Sequence, residues 1–458
     1  MKRKPPRDLM DSTRASTHPP SPWGLPLWGH LLRHDRDPLG FAMESFRKHG
    51  DVVHLKLGAQ STYLVSHPDH VRYFLTENAN NYAKPALVDD PFLGNGLFVS
   101  EGAYWRRQRR LVQPAFHRER LAGLLSGMVD LIQRMLKSWE ERGASAPPLD
   151  VSEEMGILSL WMTTRALYSE EPDAEVTAGI RRMMATFNAT EPLWARVLRL
   201  DRLPFYRKKW ADFFVTRRLM LGKAKEVVAK RREGGPEDDI MAMLVAARDR
   251  DTGEAMTDKE LRDEFMNLFS GNEGPGAALS WAWHLLSLHP EIAERLASES
   301  AAVLGGRAPS LEDLPKLRYA TQVFEESLRL YPTAWKLVRV AGAADTLGKY
   351  PVAPGTVILS ISYLIHRHPE FWSSPEVFDP DRFGPDRPAR HKFAYVPFGG
   401  GQHICIANNL SLMFGALVLA MVSQRFRLRG IPGRRVDIHP GISLLPKGGL
   451  PMTLEPRP

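Results

Sequence analysis

Apolar residues fall along this chain in two rhythms. Residues 52–57 and 61–65 alternate between apolar and polar side chains, which predicts two strands closing as a hairpin. Elsewhere the spacing is helical: 41–49 and 68–76 read as helices, and further helices fill 121–232 with Gly- and Pro-marked breaks at 143–150 and 234–239. The stretch 258–289 reads as one central helix, and 322–330 as another. After Cys405, residues 406–422 hold so few polar side chains that they predict a buried helix, and the near-apolar run within it, 412–422, is too short to span a bilayer. Between these elements, 18–30 is a Pro- and Gly-punctuated extended approach, and 81–100 is a loop carrying large apolar residues such as Phe92, Leu97 and Phe98.

Composition narrows this picture only a little. The chain has 458 residues, 43% hydrophobic and 25% charged, and no linker long enough to divide it. Residues 1–18 are basic, Pro-containing and without an apolar core, so they read as a disordered tail rather than a signal or an anchor; 19–458 is expected to form one domain. One cysteine excludes a disulfide framework, a Cys-rich zinc site and a Cys-ligated iron–sulfur cluster, and makes a reducing cytoplasm the expected compartment. The net charge is +8, yet no nucleic-acid recognition motif accompanies it. Basic residues cluster instead at Arg106, Arg107, Arg109 and Arg110, and more loosely over 207–218, either as a solvated face or as a docking face for an acidic partner.

The sole thiol sits in F-G-G-G-Q-H-I-C-I-A-N-N-L, from Phe398 to Leu410. Gly399, Gly400 and Gly401 allow positive φ and close approach to a flat partner. Cys405 falls just before the apolar helix, whose dipole favours the thiolate, the form that binds metal. A loop of that kind suits an axial ligand to haem iron. Upstream, Trp105 and Arg109 stand four apart in W-R-R-Q-R-R-L-V-Q-P-A-F, so a helix puts an indole N–H and a guanidinium on one face, both donors for a carboxylate. Glu326 and Arg329 stand three apart in E-S-L-R, and Arg382 follows in F-D-P-D-R-F.

Phe398, Gly401, Cys405 and Ala407 reproduce F-x-x-G-x-x-x-C-x-A, which resembles the haem-binding signature of the cytochrome P-450 monooxygenases; Ala407 stands where Gly is most frequent and His403 where Arg is. The resemblance extends over nearly the whole chain. It implies a mostly α fold with a minor β region, a single triangular domain enclosing haem b between the central and Cys-bearing helices. It assigns Cys405 to the iron, with Phe398 in the same loop, and gives the haem propionates to Trp105, Arg109, Arg339 and His403. Glu326, Arg329 and Arg382 become a structural charge cluster. Phe98, Phe187, Leu337 and Val338 are expected to line an apolar substrate cavity, under a lid drawn from 181–205, with the hairpin of 441–452 reaching into it. In the central helix the family has an acid followed by Thr; here Glu273 is followed by Gly274 and Pro275, so the acid is present and the hydroxyl is not. A Pro in the helix interior predicts a kink and, with the Gly, a cost of roughly 4 kcal/mol relative to Ala. The implied activity is insertion of one oxygen atom of dioxygen into a largely apolar small molecule, as part of secondary metabolism, with electrons from a ferredoxin- or flavodoxin-type donor. A monomer without nucleic-acid or membrane partners is expected. Oxidative coupling or peroxide-driven oxidation is the alternative that the missing hydroxyl keeps open, and a non-catalytic haem protein is a more distant one.

Overall fold

The structure, a computed structural model, describes residues 18–85, 93–143, 146–171, 174–188, 211–234, 239–387 and 389–457. Six helices build the site: α1 (Gly102–Val112), α2 (Val151–Tyr168), α3 (Asp258–Ser270), α4 (Glu273–Leu288), α5 (Arg318–Leu330) and α6 (Asn408–Arg425). Their ends carry the expected signals. Asp150 caps α2 by accepting from the Ser152 and Glu153 amides, and Thr257 forms a reciprocal capping box with Glu260 at α3. Met155, Leu158, Leu279, Trp283, Phe324, Phe414 and Leu417 belong to one continuous core that joins α2, α4, α5 and α6. Helices α2 and α4 approach backbone to backbone. A Cβ on Gly276 of α4 would lie 2.8 Å from the Met155 carbonyl oxygen of α2, so only glycine lets these two helices meet there.

The main sheet has five strands, β1 (Val52–Leu57), β2 (Gln60–Val65), β3 (Tyr82–Ala83), β4 (Lys336–Ala341) and β5 (Val357–Ile361), in the order β1-β2-β5-β4-β3. The predicted hairpin is β1 with β2, antiparallel with Val52 opposite Val65; β2 then runs parallel to β5, and β4 antiparallel to it with Arg339 opposite Ile358. A three-stranded sheet places Pro451–Pro456 between Leu149–Asp150 and Phe426–Gly430, and Ile438–Pro440 pairs with Leu444–Pro446.

Two expectations need correcting. The buried helix after Cys405 begins at Asn408, two residues later than the apolar run suggests. The stretch 258–289 is two helices, parted by a turn at Gly271 and Asn272. Pro275 has no N–H to offer the Gly271 carbonyl, so the ladder is interrupted one turn earlier and restarts at Glu273. Pro275 then lies in the first turn of α4, where a missing N–H costs nothing, and the interior penalty does not apply. The break is satisfied locally: the Asn272 amide donates to the Phe269 carbonyl at 2.8 Å, and the buried Ser159 hydroxyl of α2 donates to the Asn272 carbonyl. Apart from His18, the basic tail lies outside the described residues, as does the lid segment beyond residue 188.

Candidate active site

The cysteine loop is held by its own backbone and by its glycines. The Cys405 amide donates to the Phe398 carbonyl at 2.9 Å, closing the loop around a short 3-10 turn, Gly401–His403. Gly399 and Gly401 take φ of 71° and 68°, and a Cβ at Gly401 would overlap the Leu75 carbonyl oxygen, so the threefold glycine run reflects both conformation and contact. Cys405 retains accessible surface although protein surrounds it closely enough that burial pushes its thiol up, against the Ala407 amide and the Arg109 charge. A coordinated metal would favour the thiolate, since its charge deprotonates a ligating thiol.

The side chains from α1 meet this loop directly. Trp105 is buried with its ring centroid 4.1 Å from that of His403, and the Arg109 Nη1 donates to the Ile404 carbonyl at 2.9 Å. The second Arg109 contact is the neutral Gln113 Oε1, at 3.1 Å. Arg339 on β4 is buried, and its one hydrogen bond among the described residues goes to the adjacent Val338 carbonyl. Burial lowers the pKa of both guanidinium groups, and neither has a carboxylate at ion-pairing distance among the described residues. The His403 Nε2 lies 3.1 Å from the Glu101 carboxylate, while its Nδ1 is buried with no partner among the described residues. Burial opposes ionisation of Glu101, but His403, the Lys84 amide and the Lys84 charge pull its pKa down to about 2. Lys84 and Glu101 thus join the group, and sequence reading missed both, since their partners are distant along the chain. Unpaired, desolvated guanidiniums are costly. Arg109, Arg339, Trp105 and the His403 Nδ1 are a donor set suited to a rigid dianion, and haem with its two propionates fits it.

The segment 333–339 crosses from the central helix to the cysteine loop. At one end, the Thr333 Oγ1 is 3.8 Å from where a Gly274 Cβ would stand; at the other, the Leu337 Cδ2 is 3.6 Å from the corresponding point on Gly399. Successive strand residues face opposite ways. Leu337 packs with Leu75, Phe393 and Val396, whereas Val338 packs with Leu39, Trp335 and Leu359 on the other side of the sheet. Val338 is therefore withdrawn as a cavity residue. The Phe98 ring is 63% exposed, and its backbone is anchored by Asn267 Oδ1 at 2.8 Å and by Lys84 Nζ. Phe187 lies in the helix Ala174–Asn188, with its side chain outside those described. Glu273 opens α4, half-buried, with Gly274 beside it.

Glu326 and Arg329 are fully buried and joined by two bonds of 2.6 and 2.7 Å; Arg329 also donates to the His366, Pro375 and Val377 carbonyls, and Arg382 stands 3.4 Å from Glu326. This network ties α5 to the segment that leads into the cysteine loop. The arginine cluster on α1 is less available than its sequence suggests. Arg107 bonds Glu260 at 2.6 Å, Arg110 lies 2.9 Å from both Asp249 and Asp251, and of the four only Arg106 is exposed with no ion pair among the described residues.

A cysteine loop facing a set of unpaired propionate donors defines a haem-thiolate protein. The family model "Cytochrome P450", here written cytochrome P-450, matches residues 19–450, and the chain belongs to that family. Cyclooctatin synthase of Streptomyces melanosporofaciens is 37% identical, covering 97% of each chain. Cyclooctat-9-en-7-ol 5-monooxygenase of the same organism is 34% identical over 98% of this chain and 99% of that one, and pentalenene oxygenase of Streptomyces avermitilis is 31% identical over 92% and 93%. The crystal structure of the cytochrome P-450DA haem domain shares the fold, with a TM-score of 0.86 at 22% identity over 96% of this chain and 98% of that one. The protein is an oxidoreductase, a haem b monooxygenase. No helix among the described residues is long and apolar enough to cross a membrane.

Proposed function

We propose that this enzyme inserts one oxygen atom into a largely hydrocarbon, cyclic small molecule in secondary metabolism. Electrons come from an external ferredoxin- or flavodoxin-type donor in the cytoplasm. The names of three relatives, two of them built on an alkene or alkenol, support the substrate class. The observation that carries the reading is the pair of guanidiniums, Arg109 and Arg339, left without carboxylates beside the Cys405 loop.

When bound, haem with a cysteine thiolate supplies activation of dioxygen and favours O–O cleavage. The chain's residues do the rest. Cys405 ligates the iron, Trp105, Arg109, Arg339 and His403 hold the propionates, and Leu337 offers an apolar wall on the same strand face as Arg339. The net reaction, R–H plus dioxygen, two electrons and two protons to R–OH and water, needs a proton source, and we assign that role to Glu273, half-buried at the start of α4.

Turnover under isotopically labelled dioxygen with pentalenene, cyclooctat-9-en-7-ol and related cyclic alkenes tests this. One labelled oxygen in the product is expected. Product with no label, as oxidative coupling would give, overturns it. The reduced carbon-monoxide complex is expected to show the red-shifted Soret band of thiolate ligation, lost in Cys405→Ser.

A further inference from the structure

Two protons must reach the oxygen atom that leaves as water in each turnover, and a positioned side chain or a water chain carries such protons. Gly274, in the first turn of α4, brings no side chain. Apart from its chain neighbours and its own helix backbone, one atom stands within 4 Å of where its Cβ would lie, the hydroxyl oxygen of Thr333, at 3.8 Å. Thr333 is buried, and its hydroxyl makes no hydrogen bond to the described residues. Its backbone is fixed from two sides. The Thr333 carbonyl accepts from the Leu444 amide at 3.2 Å, and the Leu444 carbonyl accepts from the buried Trp281 indole of α4 at 2.9 Å. The preceding Tyr331 ring stacks on that same Trp281, 4.0 Å between centroids and 4° from parallel. A β-branched side chain on a backbone held this way has little rotamer freedom. The Thr333 hydroxyl oxygen keeps accessible surface and makes no bond to the described residues, so it is open to a water in the space beside Gly274.

We infer that Thr333 is the hydroxyl of the oxygen-insertion site, lending to α4 from the neighbouring turn what Gly274 lacks. A water in the space beside Gly274 bridges Thr333 to the Glu273 side. The Thr333 O–H bond breaks as its proton passes to the departing oxygen, Oγ1 takes a replacement from that water, and the water is reprotonated by Glu273, which recovers its proton from solvent, so all three end unchanged. The electrons are those of the external donor. This inference rests on the oxygen-inserting reading above.

The test uses the haem-loaded enzyme and its variants Thr333→Val, Thr333→Ser and Thr333→Val with Gly274→Ser. Haem content and the thiolate band are checked first in each, so that loss of the haem-thiolate reading is recognised separately. Thr333→Val is expected to raise hydrogen peroxide released per NADH about tenfold or more, in keeping with the loss of one proton carrier. It is also expected to shift the C–O stretching frequency of the reduced carbon-monoxide complex, which senses a nearby hydrogen-bond donor without turnover. Thr333→Ser is expected to restore both, and Gly274→Ser to restore coupling in the valine background. Unchanged coupling and an unchanged C–O stretch in Thr333→Val overturn the inference. So does a serine variant as impaired as valine, which would assign the effect to packing. If Thr333→Val does not accumulate, Thr333→Ala is read by the same two measurements.

Discussion

Two arginines illustrate how a residue's role is read from its partners. Arg329 satisfies its guanidinium with Glu326 and three carbonyls in a fully buried site. Arg339 is almost as buried and finds one neighbouring carbonyl. The first is a structural tie and the second awaits an anion. Arg339→Ala is accordingly expected to leave the fold intact and weaken haem retention by roughly 1.5–3 kcal/mol, the worth of a charge-assisted bond. Haem transfer to an acceptor globin measures it, and an unchanged transfer rate contradicts the assignment. At this scale Cys405 was legible because one thiol in a glycine loop has few alternatives. Val338 was not, because facing is set by strand register, and Thr333 was not, because its role depends on a contact across the fold.

Among elements, the join between α3 and the loop after β3 stands out. Asp263 accepts from the Asn95 amide, Glu264 from Leu97 and Asn267 from Phe98, so one stretch of α3 pins three backbone amides of the loop. Burial pushes the fully buried Glu264 up to about 8; the nearby Asp263 and Glu260 add to this, and the Leu97 amide and Lys84 oppose it. The folded protein therefore holds a proton that the unfolded chain releases near its ordinary 4.5, and stability falls as pH rises between those values and levels off above the upper one. Glu264→Gln is expected to flatten that part of the melting-temperature profile and raise the melting point at pH above it. A profile identical to wild type counts against a buried, proton-holding Glu264. Sequence revealed these helices by their apolar spacing. It announced a disturbance at Pro275 but misplaced it, because a chain relieves a missing N–H by restarting the helix earlier.

For the molecule as a whole, the order of motifs along the chain carried the fold, whereas its electrostatics stayed hidden. A net charge of +8 and four arginines in α1 suggested a broad basic face, yet Glu260, Asp249 and Asp251, distant in sequence, neutralise two of them in place. What remains for an acidic electron donor on this helix is Arg106. Arg106→Glu is expected to slow reduction by such a donor, with the difference shrinking as salt rises. Arg107→Glu and Arg110→Glu are expected to lower the melting temperature first. Equal rates for Arg106→Glu and wild type at low salt would remove α1 from the docking face.

The two glycines of the first turns of α4 differ in what they leave open to laboratory evolution. At Gly276 any side chain must drive α2 and α4 apart, so that position is closed to variation in every background that keeps the core. At Gly274, two residues away, the nearest atom stands at ordinary contact distance, and the backbone is already helical. A library aimed at substrate range can therefore admit small side chains at position 274 while holding 276 fixed, with the packing between α2 and α4 kept, and larger ones at 274 are expected to cost coupling by filling the space beside Thr333.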